Sequence, residues 1–113
     1  MNSVCVLGAG SYGSALAICL SRNGVKTVLW GRDKQQIELM AIERCNQKYL
    51  PDATFPKELS LESDLCKAIN NSQDILVVVP SHAFYSTLQQ AKPYLKPWHR
   101  IIWATKGLEP DTG

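Results

Sequence analysis

The segment that most constrains this chain is Gly8-Ala9-Gly10-Ser11-Tyr12-Gly13, set directly behind the apolar run Val4-Cys5-Val6-Leu7. A run of that length suits a strand, expected over Ser3 to Leu7. A strand apolar at every position is buried on both faces, as in a parallel sheet with helices on each side. Ala15, Leu16, Cys19 and Leu20 then recur at helical spacing, which predicts a helix from about Tyr12 to Arg22, closed at Asn23-Gly24. The glycines therefore stand at a strand-to-helix turn, the context in which G-x-G-x-x-G carries meaning. There Gly8 permits the tight turn, Gly10 lets the backbone approach a pyrophosphate, and Gly13 lets the helix pack close to the strand. The helix start adds unpaired N–H groups and partial positive charge. A Walker-type loop would need Gly-Lys-Ser/Thr, which this turn lacks.

Apolar runs and helical patterns continue to alternate, the signature of βαβ units. A second strand is expected at Thr27 to Trp30, and a second helix from Asp33, which can cap it, with Ile37, Met40 and Ala41 inward. The polar, proline-bearing stretch from Asn46 to Lys57 reads as a long loop. A short third strand at Leu59 to Leu61 leads to a helix at Asp64 to Ile69, with Leu65, Ala68 and Ile69 inward. The fourth strand, Ile75 to Val79, has five apolar residues and stops at Pro80. Ser81 is the expected N-cap of a helix from His82 to Ala91, ended by Lys92-Pro93. A fifth strand is expected at Ile101 to Ala104. Right-handed crossovers give the sheet order 3-2-1-4-5, a doubly wound α/β fold of Rossmann type. Ligands on such sheets lie beyond the carboxyl ends of the strands, at the switch between the first and fourth. Gly8 to Gly13, Pro80 to His82 and Lys106-Gly107 all fall on that edge.

Composition excludes several functions. The 113 residues suit one domain. The formal net charge is +2, with Lys and Arg scattered, so no basic stripe offers a nucleic-acid surface. Cys5, Cys19, Cys45 and Cys66 form no CxxC pair, and no metal site is expected. Cys5 lies in an apolar strand and Cys19 is expected at core spacing on the first helix. Reduced, structural cysteines point to the cytoplasm. No signal peptide and no membrane-length apolar stretch stand in the sequence.

The end of the second strand bears on cofactor choice. An NAD-selective fold places Asp or Glu there to hold the ribose 2′-hydroxyl, whereas this chain has Trp30-Gly31-Arg32. Arg32 can pair with a 2′-phosphate or stack on adenine, so NADPH is favoured with NAD also usable. Asp33 is read as a helix cap. His82 is expected in water on the first turn of its helix, and neither it nor His99 is assigned chemistry.

Several motifs now stand in one order: Gly8 through Ala17, Leu29 through Asp33, Asn46 through Pro51, Val79 through His82, and Ala104-Thr105-Lys106-Gly107-Leu108-Glu109. Together they resemble the N-terminal domain of the bacterial-type NAD(P)-dependent glycerol-3-phosphate dehydrogenases, over essentially the whole chain. The resemblance implies reversible hydride transfer between NAD(P)H and dihydroxyacetone phosphate, giving sn-glycerol 3-phosphate for glycerophospholipid synthesis. It implies cofactor contacts from Ser11, Tyr12, Arg32 and Lys106, with Lys106 also touching substrate. Many members have Trp where Tyr12 stands, an exchange of one aromatic for another.

On this reading residues 1–113 are an incomplete NAD(P)-binding Rossmann domain. The helical substrate domain and its proton-transfer lysine are expected outside it, so no catalytic residue is assigned here and the domain alone should not turn over. A homodimer is an open expectation. The alternatives are a nucleotide-sensing Rossmann module without chemistry, or a β-hydroxyacid or ketopantoate-type reductase.

Overall fold

The computed structural model describes residues 2–103. In chain order the elements are β1 (Ser3–Leu7), α1 (Ser11–Arg22), β2 (Lys26–Trp30), α2 (Lys34–Glu43), β3 (Cys45–Asn46), β4 (Leu50–Thr54), β5 (Leu59–Glu62), α3 (Leu65–Asn70), β6 (Asp74–Val77), α4 (Ser81–Ala91), a 3-10 turn (Lys92–Tyr94) and β7 (Arg100–Trp103). Five strands form one parallel sheet in the order β5-β2-β1-β6-β7. That is the expected 3-2-1-4-5 order once the small β3–β4 pair is set aside.

The apolar runs work as a doubly covered sheet requires. Alternate residues of β1 serve opposite faces. Val4 and Val6 join Ala17 and Ile18 of α1, Ile37 and Met40 of α2, and Phe55 on one side. Cys5 and Leu7 join Ala68 and Ile69 of α3, with Ile75, Val77 and Ala91, on the other. Burial also pushes the Cys5 thiol up, so it stays protonated as a small hydrophobe.

The structure corrects five expectations. The Asn46–Lys57 stretch is not simply a loop: β3 and β4 pair antiparallel within it. The buried stripe of α1 is Gly13, Ser14, Ala17, Ile18 and Ser21, while Ala15 and Cys19 are exposed. Two serines occupy core positions because their hydroxyls find partners, one within the helix and one from β3. Ser21 donates to the Ala17 carbonyl at 2.7 Å, and Ser14 accepts from Asn46. On α2, Ala41 is exposed beside buried Ile37 and Met40. The fourth parallel strand covers Asp74–Val77, so Val78 and Val79 lie beyond its end as buried residues of the cleft wall. Finally, α4 starts one residue early, with Pro80 rather than Ser81 at the N-cap position.

Asp33 is the N-cap of α2, its carboxylate accepting from the Gln36 N–H at 3.2 Å. Asp74 is buried at the start of β6 and takes a two-pronged ion pair from Arg100 at 2.7 and 3.1 Å, tying the edge strand β7 to the sheet. His99 is likewise structural. Its Nδ1 accepts from the Lys96 N–H at 2.8 Å, which leaves Nε2–H to donate to the Ile69 carbonyl at 3.1 Å.

A cleft at the switch between the two halves of the sheet

Parallel register brings Leu7, Trp30 and Val77 to one edge of the sheet. From β1 the chain turns toward β2, and from β6 it departs in the other sense, so a crevice opens between them. The crevice holds about 480 Å³ and is lined by residues 8–13, 30–32 and 78–80 with Ala83 and Thr87. That volume suits a small-molecule ligand.

The three glycines line it for different physical reasons. Gly8 has φ +127° and donates its N–H to the Trp30 carbonyl at 2.9 Å. A Cβ there would also lie 3.1 Å from the Val78 backbone. Gly13 is a close-approach residue, since a Cβ would fall 1.8 Å from the Gly8 carbonyl oxygen. Gly10 is different. Its backbone is extended (φ −77°) and nothing among the described residues lies within 4 Å of an added Cβ. Neither its own fold nor its packing asks for glycine, and the space it leaves belongs to the cleft.

Gly10 occupies the N-cap position of α1 without a side-chain cap. Among the described residues, no acceptor takes the N–H groups of Ser11, Tyr12 and Gly13. Three donors at a helix start, with the dipole behind them, are a ready anion site. Ser11 is exposed at this helix start and Tyr12 is 38% exposed beside the cleft. Arg32 is exposed on the opposite lip, the single charged residue in the described lining, with no ion pair among the described residues. Among the described residues no carboxylate lines the cleft, since Asp33 turns into its own helix. Gly8, Gly10, Ser11, Tyr12, Gly13 and Arg32 are thus brought to one cavity. Lys106 lies outside the described residues, as do Ala104, Thr105 and Gly107 through Glu109. Pro80 lines the wall, while His82 is exposed on the first turn of α4 and outside the lining.

Two residues of the site stand inside the motif stretches but had no role assigned from the sequence. Gly31 is needed where α2 meets the turn, because a Cβ would lie 2.9 Å from Ile37 Cδ1 and 3.0 Å from Ala9 Cβ. Asn46 is fully buried and reaches across from β3, donating to the Ala9 carbonyl at 3.0 Å and to Ser14 Oγ at 2.9 Å. Contacts 37 and 32 residues away explain its burial, so no local pattern could have marked it.

A doubly wound parallel sheet with an open glycine turn at its switch point defines the class: the Rossmann-type domain of NAD(P)-dependent dehydrogenases. Comparison narrows it. The family model described as NAD-dependent glycerol-3-phosphate dehydrogenase N-terminus matches residues 3–113, and the chain belongs to that family. The glycerol-3-phosphate dehydrogenase (NAD(P)+) of Serratia proteamaculans is 59% identical over 111 residues, 98% of this chain and 33% of the relative. That of Pseudoalteromonas translucida is 57% identical over 112 residues, again 33% of its length. The crystal structure of the Coxiella burnetii glycerol-3-phosphate dehydrogenase superposes with a TM-score of 0.89 at 40% identity, over 94% of this chain and 33% of that one. The chain therefore spans about a third of the curated relatives it matches.

Proposed function

We propose that the full-length protein is a glycerol-3-phosphate dehydrogenase that reduces dihydroxyacetone phosphate to sn-glycerol 3-phosphate, and that residues 1–113 are its NAD(P)-binding domain, completed by a helical substrate domain. The similarity to glycerol-3-phosphate dehydrogenases supports the dehydrogenase over a nucleotide sensor. The observation that carries the cofactor part is the open space at Gly10 beside three unpartnered N–H groups. A pyrophosphate fits that cradle by charge and by room. Gly8 and Gly13 shape the turn, Ser11 and Tyr12 hold the phosphate and nicotinamide side, and Arg32 meets the adenosine end. With an arginine and no carboxylate there, NADPH is favoured over NADH.

When bound, the nicotinamide supplies the hydride. The chain's own groups bind and orient it. Lys106 is assigned to hold both cofactor and substrate phosphate or ketone oxygen, where a cation stabilises developing negative charge. The product is a phospholipid precursor and the setting cytoplasmic. In keeping with this, no helix among the described residues is long and apolar enough to cross a membrane.

The test is NADPH oxidation with dihydroxyacetone phosphate, run on the full-length protein and on residues 1–113 alone. Turnover in the first, with NADPH binding but no turnover in the second, is the expected result. Binding without turnover in either would replace the dehydrogenase by the sensor reading.

A further inference from the structure

The β3–β4 hairpin has no place in the described lining of the cofactor cleft, yet its one fully buried polar side chain is aimed at the glycine turn. Every hydrogen-bonding group of the Asn46 amide is used. One Nδ2 hydrogen goes to the Ala9 carbonyl at 3.0 Å and the other to Ser14 Oγ at 2.9 Å. Oδ1 accepts from the Tyr49 N–H at 3.3 Å, closing the hairpin turn. The carbonyl it holds belongs to the peptide that joins Ala9 to Gly10.

No peptide among the described residues is cis. In a trans peptide the C=O and N–H point in opposite directions. A carbonyl drawn inward to Asn46 therefore turns the Gly10 N–H the other way. Gly10 lines the cleft, and no acceptor among the described residues takes its N–H. We infer that Asn46 is a positioning residue: it locks the Ala9–Gly10 peptide so that the Gly10 N–H faces the cleft as a fourth donor to the dinucleotide pyrophosphate, beside those of Ser11, Tyr12 and Gly13. This rests on the dinucleotide reading of the cleft but not on the identity of the substrate.

The same bond gives the hairpin a purpose. The Ala9–Gly10 peptide precedes α1 and follows β1, so neither ladder fixes its plane. A turn with a left-handed glycine at its first position can swing that plane at little steric cost, because even a Cβ at Gly10 beside it would meet nothing among the described residues. Asn46 removes that freedom before the ligand arrives, which lowers the ordering cost of binding.

Titration of NADP+ into the full-length protein and its variants tests this. Asn46→Ala and Asn46→Asp remove the donor to Ala9, and each should weaken NADP+ by about tenfold or more, the worth of a hydrogen bond to a charged group. Ser14→Ala breaks the neighbouring bond of the same amide and leaves the Ala9 contact in place. It should lower thermal stability and leave NADP+ affinity little changed. Unchanged affinity in the Asn46 variants, or an equal loss in Ser14→Ala, would overturn the inference and return Asn46 to a packing role. Should the Asn46 variants not fold, hydrogen exchange at the Gly10 amide of the unaltered protein decides instead. Exchange should be rapid without ligand and strongly slowed by NADP+, and an amide already protected without ligand refutes the assignment. NADP+ binding without reduction of dihydroxyacetone phosphate would remove the dehydrogenase reading and leave this inference intact.

Discussion

Gly10 and Gly13 sit three residues apart and differ in what a methyl group would meet. At Gly10 it would enter open space; at Gly13 it would lie 1.8 Å from the Gly8 carbonyl oxygen. Gly10→Ala should therefore still fold, at a cost of about 1 kcal/mol for placing Ala at a helix N-cap, while NADPH affinity falls by about tenfold or more as the methyl takes the room of the phosphates. Gly13→Ala should cost about 3 kcal/mol or more of stability, the penalty of overpacking against backbone that cannot yield. Thermal melts beside cofactor titrations separate the two, and equal effects on folding would refute the distinction. Arg32 makes a prediction about selectivity. Arg32→Ala should weaken NADPH by roughly 10- to 100-fold, as expected for loss of a charge-assisted pair, and leave NADH nearly unchanged. An equal loss for both cofactors would remove the 2′-phosphate role. Cys5 predicts a pH effect. Its folded thiol is held above the ordinary 9.0, so the unfolded chain ionises first as pH rises. Stability from this group is complete below that value and falls above it by about 1.4 kcal/mol per pH unit. Unfolding midpoints from pH 8 to pH 10 should decline less steeply in Cys5→Ala, and parallel slopes would contradict this.

Among the elements, α2 shows how a single cap separates two explanations of one residue. Asp33 follows Arg32 and would repel a 2′-phosphate if its carboxylate faced the cleft. It accepts instead from Gln36 N–H. Asp33→Ala should cost about 1 kcal/mol of stability by loss of the cap and leave the ratio of NADPH to NADH affinity unchanged. A ratio that rises strongly toward NADPH would show that the charge is felt at the cleft. Four of the parallel strands were legible because each carries a run of apolar residues, the alternating Leu59-Ser60-Leu61-Glu62 of β5 being the exception, and the glycine turn because it joins a strand to a helix. The buried stripe of α1 was not, since Ser14 and Ser21 sit in the core with their hydroxyls satisfied, which polarity alone reads as a solvent face. The β3–β4 hairpin was hidden for a related reason. Its longer strand, Leu50-Pro51-Asp52-Ala53-Thr54, carries a proline and a carboxylate and is mostly exposed or half-buried. Its stability comes from elsewhere: Asn46 bonds to the glycine turn, Phe55 packs in the core, and Arg44 donates to the Pro56 and Leu59 carbonyls at 2.7 and 2.8 Å. Long-range bonds of this kind leave no periodic trace. The candidate site was legible to the extent that backbone sterics wrote it, through Gly8, Gly10, Gly13 and the exposed arginine. Gly31 and Asn46, which act through distant neighbours, were not.

For the whole molecule, the sheet is asymmetric in a way that bears on the isolated domain. Three strands are covered on both faces near the middle, but among the described residues β7 is an edge strand. On one face it shows Ile101 at 39% and Trp103 at 62% exposure, the latter packed at a tilt against Phe84 with ring centres 4.1 Å apart. Parallel strands are ordinarily buried, and an apolar edge is a template for pairing with another chain. The relatives are about three times as long as this chain, and in the proposed full-length enzyme more protein is available to cover that edge. Residues 1–113 taken alone should therefore associate as concentration rises. Sedimentation velocity over a hundredfold concentration range would show a rising weight-average mass. Trp103→Lys places a charge on the same edge, the device by which natural edge strands resist pairing, and should keep the domain monomeric without loss of NADPH binding, because Trp103 is outside the described cleft lining. A domain monomeric throughout would mean that the edge is protected by its own chain, and the exposed Trp103 would then need another explanation. Association that survives Trp103→Lys would move the interface elsewhere, with Leu39 and Ile42 on the outer face of α2 the next surface to alter.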